Sequence, residues 1–337
     1  YYRNLFRRIW SKAGRRRRGK SWRPDWGNEL PLVKEGAQAE QAAQQASKRT
    51  TSRKELAQHS GFEDISPEVG ELDEVAFDEA LQNSPDETLS MLADLTAATD
   101  PSLRELARRL AGRILIDLAQ SGKPRPRGIG KMALRKYQPD AGDIDIDASL
   151  DALNELRATG VIDADELRVR GWLRPGTALS LVVDRSGSMG GKPLANSAMA
   201  AASIAAREPA DYSVLVFGKD VIAAKSQDVH RTGDEVVNTV LALRGFGTTD
   251  LAGALHASRE QLGRSRAARK ITVLLSDCRA TVDGDTRAAA RSLDELVVIA
   301  PCDDDAEARV FADAVGARFT TVSGPSDIPD AMRRVLD

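Results

Sequence analysis

Asp184, Ser186 and Ser188 alternate with Arg185 and Gly187 in the run LVVDRSGSMGG, residues 181–191. A carboxylate and two hydroxyls at that spacing belong to one short loop. Such serines could be nucleophiles, a phosphate cradle, a cation site or plain turn residues. A hydrolase elbow needs Gly-x-Ser-x-Gly. Ser188 lies between Gly187 and Met189, so the pattern misses by one residue. None of His59, His230 and His256 stands in the sequence as an obvious base. A phosphate loop needs Gly-Lys followed by Ser or Thr. Here Pro193 follows Lys192, and the glycine spacing fails as well. The dinucleotide pattern Gly-x-Gly-x-x-Gly is absent from this loop. Oxygen donors suit a hard cation such as magnesium, which takes about six oxygens at roughly 2.0–2.1 Å. One loop cannot close that shell, so other oxygens must come from elsewhere on the same edge. GFGTTDL offers Thr248, Thr249 and Asp250, and VLLSDCR offers Asp277.

The flanking elements put these residues at strand ends. Apolar runs at 178–184, 211–218, 221–226, 270–277, 295–301 and 317–323 read as strands. Between and after them, 192–208, 233–244, 248–263, 285–293, 305–316 and 326–336 read as helices. Alternation of this kind predicts a doubly wound, mostly parallel α/β sheet covered on both faces. Ligands of such sheets bind beyond the C-terminal strand ends. Asp184 ends the first strand, Ser186 and Ser188 follow it, and Asp277 ends the fourth.

This constellation resembles the von Willebrand factor A (VWA) domain, a Rossmann-like fold, with its metal-ion-dependent adhesion site. The resemblance covers about residues 171–337. It implies Asp184, Ser186, Ser188, Thr249 and Asp277 as ligands of Mg²⁺ or Mn²⁺. Thr249 is chosen over Thr248 because the family threonine directly precedes the Asp or Asn opening the helix. Many relatives carry Asp-Gly-Arg where this chain reads Asp277-Cys278-Arg279. Cysteine lacks the freedom at positive φ that glycine would give there.

Upstream of that domain, residues 61–170 read as a helical domain with an acidic joint. Leu103, Leu106, Leu110, Ile114 and Leu118 follow steps of three and four, the stripe of an amphipathic helix. Asp100 and Pro101 open it, and Gly122 with Pro124 closes it. The joint, AGDIDIDASLDALNELRATG, lacks the spacing of a calcium loop, and a solvated acidic face is expected. Residues 36–60 are polar and rich in Ala and Gln, as in a linker or loose helix. Residues 3–23 hold ten Arg and Lys without one acid, interleaved with Phe6, Trp10 and Trp22. Residues 1–60 therefore read as a basic, flexible arm and linker. Such an arm could also touch a membrane surface.

The order of parts is similar to bacterial proteins that partner MoxR-type AAA+ ATPases, and the VWA part to the D subunit of magnesium chelatase. The first resemblance implies an adaptor joining such an ATPase to a client protein, not an enzyme. The second implies a subunit of a metal-inserting enzyme. The adaptor is the reading favoured here, because residues 1–170 show no phosphate loop and are too short for the ATPase-like module of the chelatase subunit. The net charge of −2 gives no reason to seek nucleic acid. Only two cysteines, Cys278 and Cys302, occur. They are expected to be unrelated buried thiols in a reducing, cytoplasmic setting. No apolar run is long enough to span a bilayer.

Overall fold

Six successive buried residues, Ala178 to Val183, form a strand with no solvent face. Such a run needs cover on both sides of its sheet. The computed structural model of the chain describes residues 33–121, 131–136, 143–159, 166–173, 176–185, 191–243 and 248–337. Within them the strands are β1 (Val33–Lys34), β2 (Lys131–Lys136), β3 (Asp143–Ile144), β4 (Arg168–Leu173), β5 (Thr177–Asp184), β6 (Tyr212–Phe217), β7 (Val221–Lys225), β8 (Arg269–Leu275), β9 (Glu295–Pro301) and β10 (Arg318–Val322). The first half contributes helices α1 (Ala37–Ala46), α2 (Arg53–Leu56), α3 (Phe62–Ile65), α4 (Glu74–Asn83), α5 (Pro85–Leu95), α6 (Pro101–Ser121) and α7 (Leu150–Thr159). The second half adds α8 (Gly191–Arg207), α9 (Gly233–Ala242), α10 (Leu251–Gly263), α11 (Thr286–Arg291), α12 (Ala306–Val315) and α13 (Ile328–Leu336).

The large sheet runs β1-β7-β6-β5-β8-β9-β10. Strands β6, β5, β8, β9 and β10 are parallel, and β7 turns back antiparallel to β6. This is the doubly wound, mostly parallel α/β fold. Alternate residues feed two cores. Leu179, Leu181 and Val183 join one with Val214, Val273 and Val297. Val182 points the other way, to Leu215, Leu274 and Val298 under α10, α11 and α12.

The first core is unusually thick. Ala200, Ala201 and Ala202 of α8 are all fully buried. Three consecutive helical residues point in three directions, so α8 must be covered all round. The sheet covers one side, and α5, α6, α9 and α13 cover the rest. Alanine suits this position because it lets neighbouring elements approach closely while costing no side-chain entropy. The helices of 74–121 thus share their core with the sheet.

Local signals act as their chemistry dictates. The Asp100 carboxylate accepts from the Leu103 N–H at 2.8 Å, with Pro101 opening α6. Ser84-Pro85 divides the stretch 74–95 into α4 and α5, because a proline inside one helix would remove a backbone donor and clash. The segment that reads as a linker is more ordered than its composition suggests. β1 adds to the sheet edge beside β7, and Lys34 pairs with Asp220 at 2.7 Å. Glu35 accepts from Ser226, Gln261 and Arg264, all about two hundred residues away in sequence.

The region between the helices and β5 also holds a small antiparallel sheet, β2-β4-β3, which the helical reading misses. Its signal is a short alternation, with Leu167 and Val169 buried and Arg170 exposed. Of the acidic joint, Asp147 is exposed as expected. Asp145 is not: it is buried, caps the Ala148 N–H at 3.0 Å and pairs with Arg170. The basic run at 3–23 and the Gly122/Pro124 stop lie outside the described residues. Among the described residues, no helix is long and apolar enough to cross a membrane.

Candidate functional site

Strand β5 lies in the middle of the sheet, and the chain leaves it to one side, toward β6. It returns through α9 and α10 to β8, on the other side of β5. The C-terminal ends of β5 and β8 therefore flank the switch point where ligands enter such sheets. Asp184 is the last residue of β5, and Asp277 stands two residues beyond the end of β8.

Ser276 joins these two ends. Its hydroxyl donates to Oδ2 of Asp184 at 2.8 Å and accepts the Cys278 N–H at 2.9 Å. Sequence reasoning missed this residue; its place beside Asp277 at a strand end is the only signal. Oδ1 of Asp277 accepts the Arg279 N–H at 3.0 Å. The Arg279 side chain turns away to Asp304 at 2.6 Å. Among the described residues, no cation pairs with the Asp277 carboxylate.

Cys278 takes the left-handed conformation, φ +62°, alone among the described non-glycine residues. The loop thus keeps the shape that glycine would favour, and the thiol is buried beneath it. Burial pushes the thiol pKa up, and the charges of Asp277 and Asp184 push it further. Cys302 departs from the expected pair of buried thiols: it is exposed, because it follows the end of β9 in a turn. Both cysteines are free.

Thr249 is buried and its backbone is held on two sides. Its N–H donates to the Thr281 hydroxyl at 2.7 Å, and its carbonyl accepts the Thr281 N–H at 3.1 Å. The next residue, Asp250, donates its N–H to the Gly218 carbonyl at 2.9 Å. Its carboxylate caps α10 through the Gly253 N–H. The loop carrying Thr249 is therefore tied to the end of β6 and to the loop after β8.

Ser186 and Ser188 lie outside the described residues. Arg185, directly after Asp184, is half-buried and donates its N–H to the Phe217 carbonyl. Its Nε would stand 3.3 Å from a Cβ at position 218, so glycine there leaves room for the guanidinium. Burial pulls the Arg185 pKa down, against the attraction of Asp220.

The donors brought to this edge are carboxylate and hydroxyl oxygens, the set that suits a hard divalent cation. Among the described residues, no group of three or more His, Cys, Asp and Glu could hold a metal. A cation here would need the hydroxyls as well as the two carboxylates. The Ser276 bridge between Asp184 and the loop of Asp277 holds two acidic residues at one sheet edge, where a positive charge is favoured.

The fold and this edge define a VWA-domain protein. Residues 116–318, more than half of the chain, match the family described as VWA domain containing CoxE-like protein, and the chain belongs to it. Comparison with curated proteins finds no match. Among solved structures, the chain is similar to proximal thread matrix protein 1 of the mussel byssus. That match has 13% identity, covers 48% of this chain and 47% of the other, and has a TM-score of 0.38. It is also similar to the manganese-loaded TRAP protein of Plasmodium vivax, at 18% identity over 48% of this chain and 72% of the other, TM-score 0.39. A von Willebrand factor type A protein from Catenulispora acidiphila matches at 14% identity over 50% and 43%, TM-score 0.38. The chain spans about half the length of the mussel protein.

Proposed function

We propose that this chain is a metal-dependent protein-binding adaptor. A divalent cation, Mg²⁺ or Mn²⁺, is held by Asp184, Ser186, Ser188, Thr249 and Asp277. The observation that carries this reading is the Ser276 bridge at the switch point, which ties Asp184 at the end of β5 to the loop that holds Asp277. A cation bound there supplies an electrophilic centre with room for one more anionic oxygen. An acidic side chain of a partner protein is the ligand of matching chemistry. The chain's own residues orient the site: β5 and β8 fix Asp184 and Asp277, and the Thr281 and Gly218 contacts fix the Thr249 loop.

The chain turns over no substrate by itself. His230 and His256 are exposed, and His59 is engaged by Asp94. The partner is an AAA+ ATPase of MoxR type together with a client protein, in a cytoplasmic setting that suits two free thiols. The test is calorimetric titration of Mg²⁺ and Mn²⁺ into the full chain and into Asp184→Ala. Binding by the wild type and its loss in the variant support the site; equal binding overturns it. Capture of the partner in Mg²⁺ and its release in EDTA support the adaptor. ATP hydrolysis by the chain alone, abolished by Asp184→Ala, overturns that reading in favour of an enzyme.

A further inference from the structure

Arg185 follows Asp184 at the end of β5, and its N–H donates to the Phe217 carbonyl at 2.8 Å, which fixes its backbone against the end of β6. The side chain is half-buried and lies against the turn after β6. A Cβ at position 218 would stand 3.3 Å from its Nε and 3.4 Å from its Cγ, with the Thr248 carbonyl 3.5 Å from the same point. The side chain thus shares that corner with the loop that carries Thr249. Its Nε is withdrawn from solvent and has no acceptor, and among the described residues no carboxylate pairs with the guanidinium. Every other half-buried arginine among the described residues donates to an oxygen, as Arg207 does to Asp337, Arg231 to the Ala224 carbonyl and Arg269 to Glu295. Asp220, the acid of the same turn, is taken by Lys34 at 2.7 Å.

We propose that Arg185 is a second contact for the partner of this site: its guanidinium takes a carboxylate of an acidic protein segment whose other acid completes the cation. The proposal rests on the metal reading given above and adds the chemistry of the partner, two acids in place of one. A charge withdrawn from water without a partner costs stability, and an unsatisfied group of this kind calls for a partner. The metal is not that partner. A positive charge one residue from Asp184 opposes a bound cation and favours an anion that approaches the same edge. A guanidinium also matches a carboxylate in shape, since its planar fork can donate two parallel hydrogen bonds. Arg185 leans to the β6 side of β5, whereas Asp277 follows β8 on the other side. Neighbouring strands are about 4.8 Å apart. The contact is therefore offered to a neighbouring residue of the segment, beside the acid that meets the cation.

Two flexible peptides separate the contact from the cation: acetyl-Glu-Gly-Gly-Glu-amide and acetyl-Glu-Gly-Gly-Gln-amide. The full chain is loaded with Mn²⁺ and titrated with each, as wild type, Asp184→Ala, Arg185→Gln and Arg185→Lys. The wild type should prefer the two-acid peptide by about tenfold, the lower end of coupling between close charge pairs across an interface. Arg185→Gln should bind the two alike. Lysine keeps the charge but not the fork, so the preference of Arg185→Lys lies between. A residue that only supports the fold gives another pattern. Its loss lowers the urea midpoint and weakens Mn²⁺ binding, and that pair of results in Arg185→Gln overturns the proposal. The contact predicts that Arg185→Gln keeps both or improves them, because an unpaired charge and a repulsion of the cation are removed. A folded Arg185→Gln with the wild-type preference overturns the proposal, as does a Mn²⁺-loaded wild type that binds neither peptide or both equally. If Arg185→Gln fails to fold, Arg185→Lys decides: a reduced preference supports the contact, and the wild-type preference overturns it. If the wild type takes no Mn²⁺, or Asp184→Ala takes it equally well, the metal reading fails by itself. The same peptides in EDTA then test Arg185: binding that is lost in Arg185→Gln sustains the contact, and equal binding or none overturns it.

Discussion

The Ser276 hydroxyl stands between two central strands, donating to the Asp184 carboxylate at 2.8 Å and accepting the Cys278 N–H at 2.9 Å. One small side chain thus fixes the end of β5 and the loop after β8. Ser276 is itself buried.

Ser276→Ala removes a hydrogen bond to a charged group and leaves the Cys278 N–H without its acceptor. Unfolding in urea should show a loss of about 2 kcal/mol, the scale of a buried hydrogen bond to a carboxylate. Mn²⁺ affinity should fall about tenfold, because Asp184 loses its orienting partner. A variant with unchanged affinity would mean that β5 alone orients Asp184.

Position 278 discriminates between side chains by backbone conformation. In the left-handed region an L-residue carries roughly 1–2 kcal/mol of strain. Cys278→Gly relieves that strain, but adds about 0.5–1 kcal/mol of backbone entropy and loses the buried side chain. The variant should stay within about 1 kcal/mol of wild type by chemical denaturation. Cys278→Val places a β-branched residue at φ +62° and should lose more than about 2 kcal/mol. A Val variant as stable as the Gly variant would show that the loop does not keep this conformation in solution. The same two cysteines give a second readout. A thiol reagent at pH 7.5 should modify exposed Cys302 in the native protein and reach Cys278 only after denaturation.

Lys225 gives the fold a pH signature. It is only 3% exposed. Its Nζ donates to the Tyr212 carbonyl at 2.6 Å and lies 4.1 Å from the centre of the Tyr212 ring. Burial pulls its pKa down to about 8, although Asp211 and Asp228 favour the charge. Between pH 8 and the ordinary lysine value of 10.5 the unfolded chain holds the proton and the native chain does not. Stability from this group therefore rises with pH across that window and is flat below it. Tyr212, pushed up to about 12, and Cys278, also raised, work in the opposite direction above their ordinary values. Comparison with Lys225→Met isolates the lysine. Wild-type stability relative to the variant should gain about 3 kcal/mol between pH 7.5 and 10.5, at about 1.4 kcal/mol per pKa unit. A difference that does not change with pH would show that Lys225 is not desolvated.

Much of the frame is legible from the sequence alone. The run ALSLVV is apolar at every position but Ser180, a pattern that suits a strand covered on both faces, and β5 is that strand. Period and cap residues delimit α6, from Asp100 and Pro101 onward. The order of strands and helices puts Asp184 and Asp277 at strand ends because each residue's place along its own element is a local property. Other features are not written locally. Ala200 to Ala202 read as helix, but their complete burial depends on α5 and α6 lying across them. Two-residue β1 carries no periodicity, and it joins the sheet through β7 and the distant partners of Glu35. The β2-β4-β3 sheet rests on alternations too short to outweigh the helical signals around them. Ser276 forms no motif in the chain. Short-range periodicity and capping follow from the geometry of one element, so the sequence determined where the candidate ligands fall along the strands and loops. Contacts such as Ser276 with Asp184 span 92 residues and form only when whole elements pack, so the tertiary structure decided what joins the end of β5 to the loop after β8.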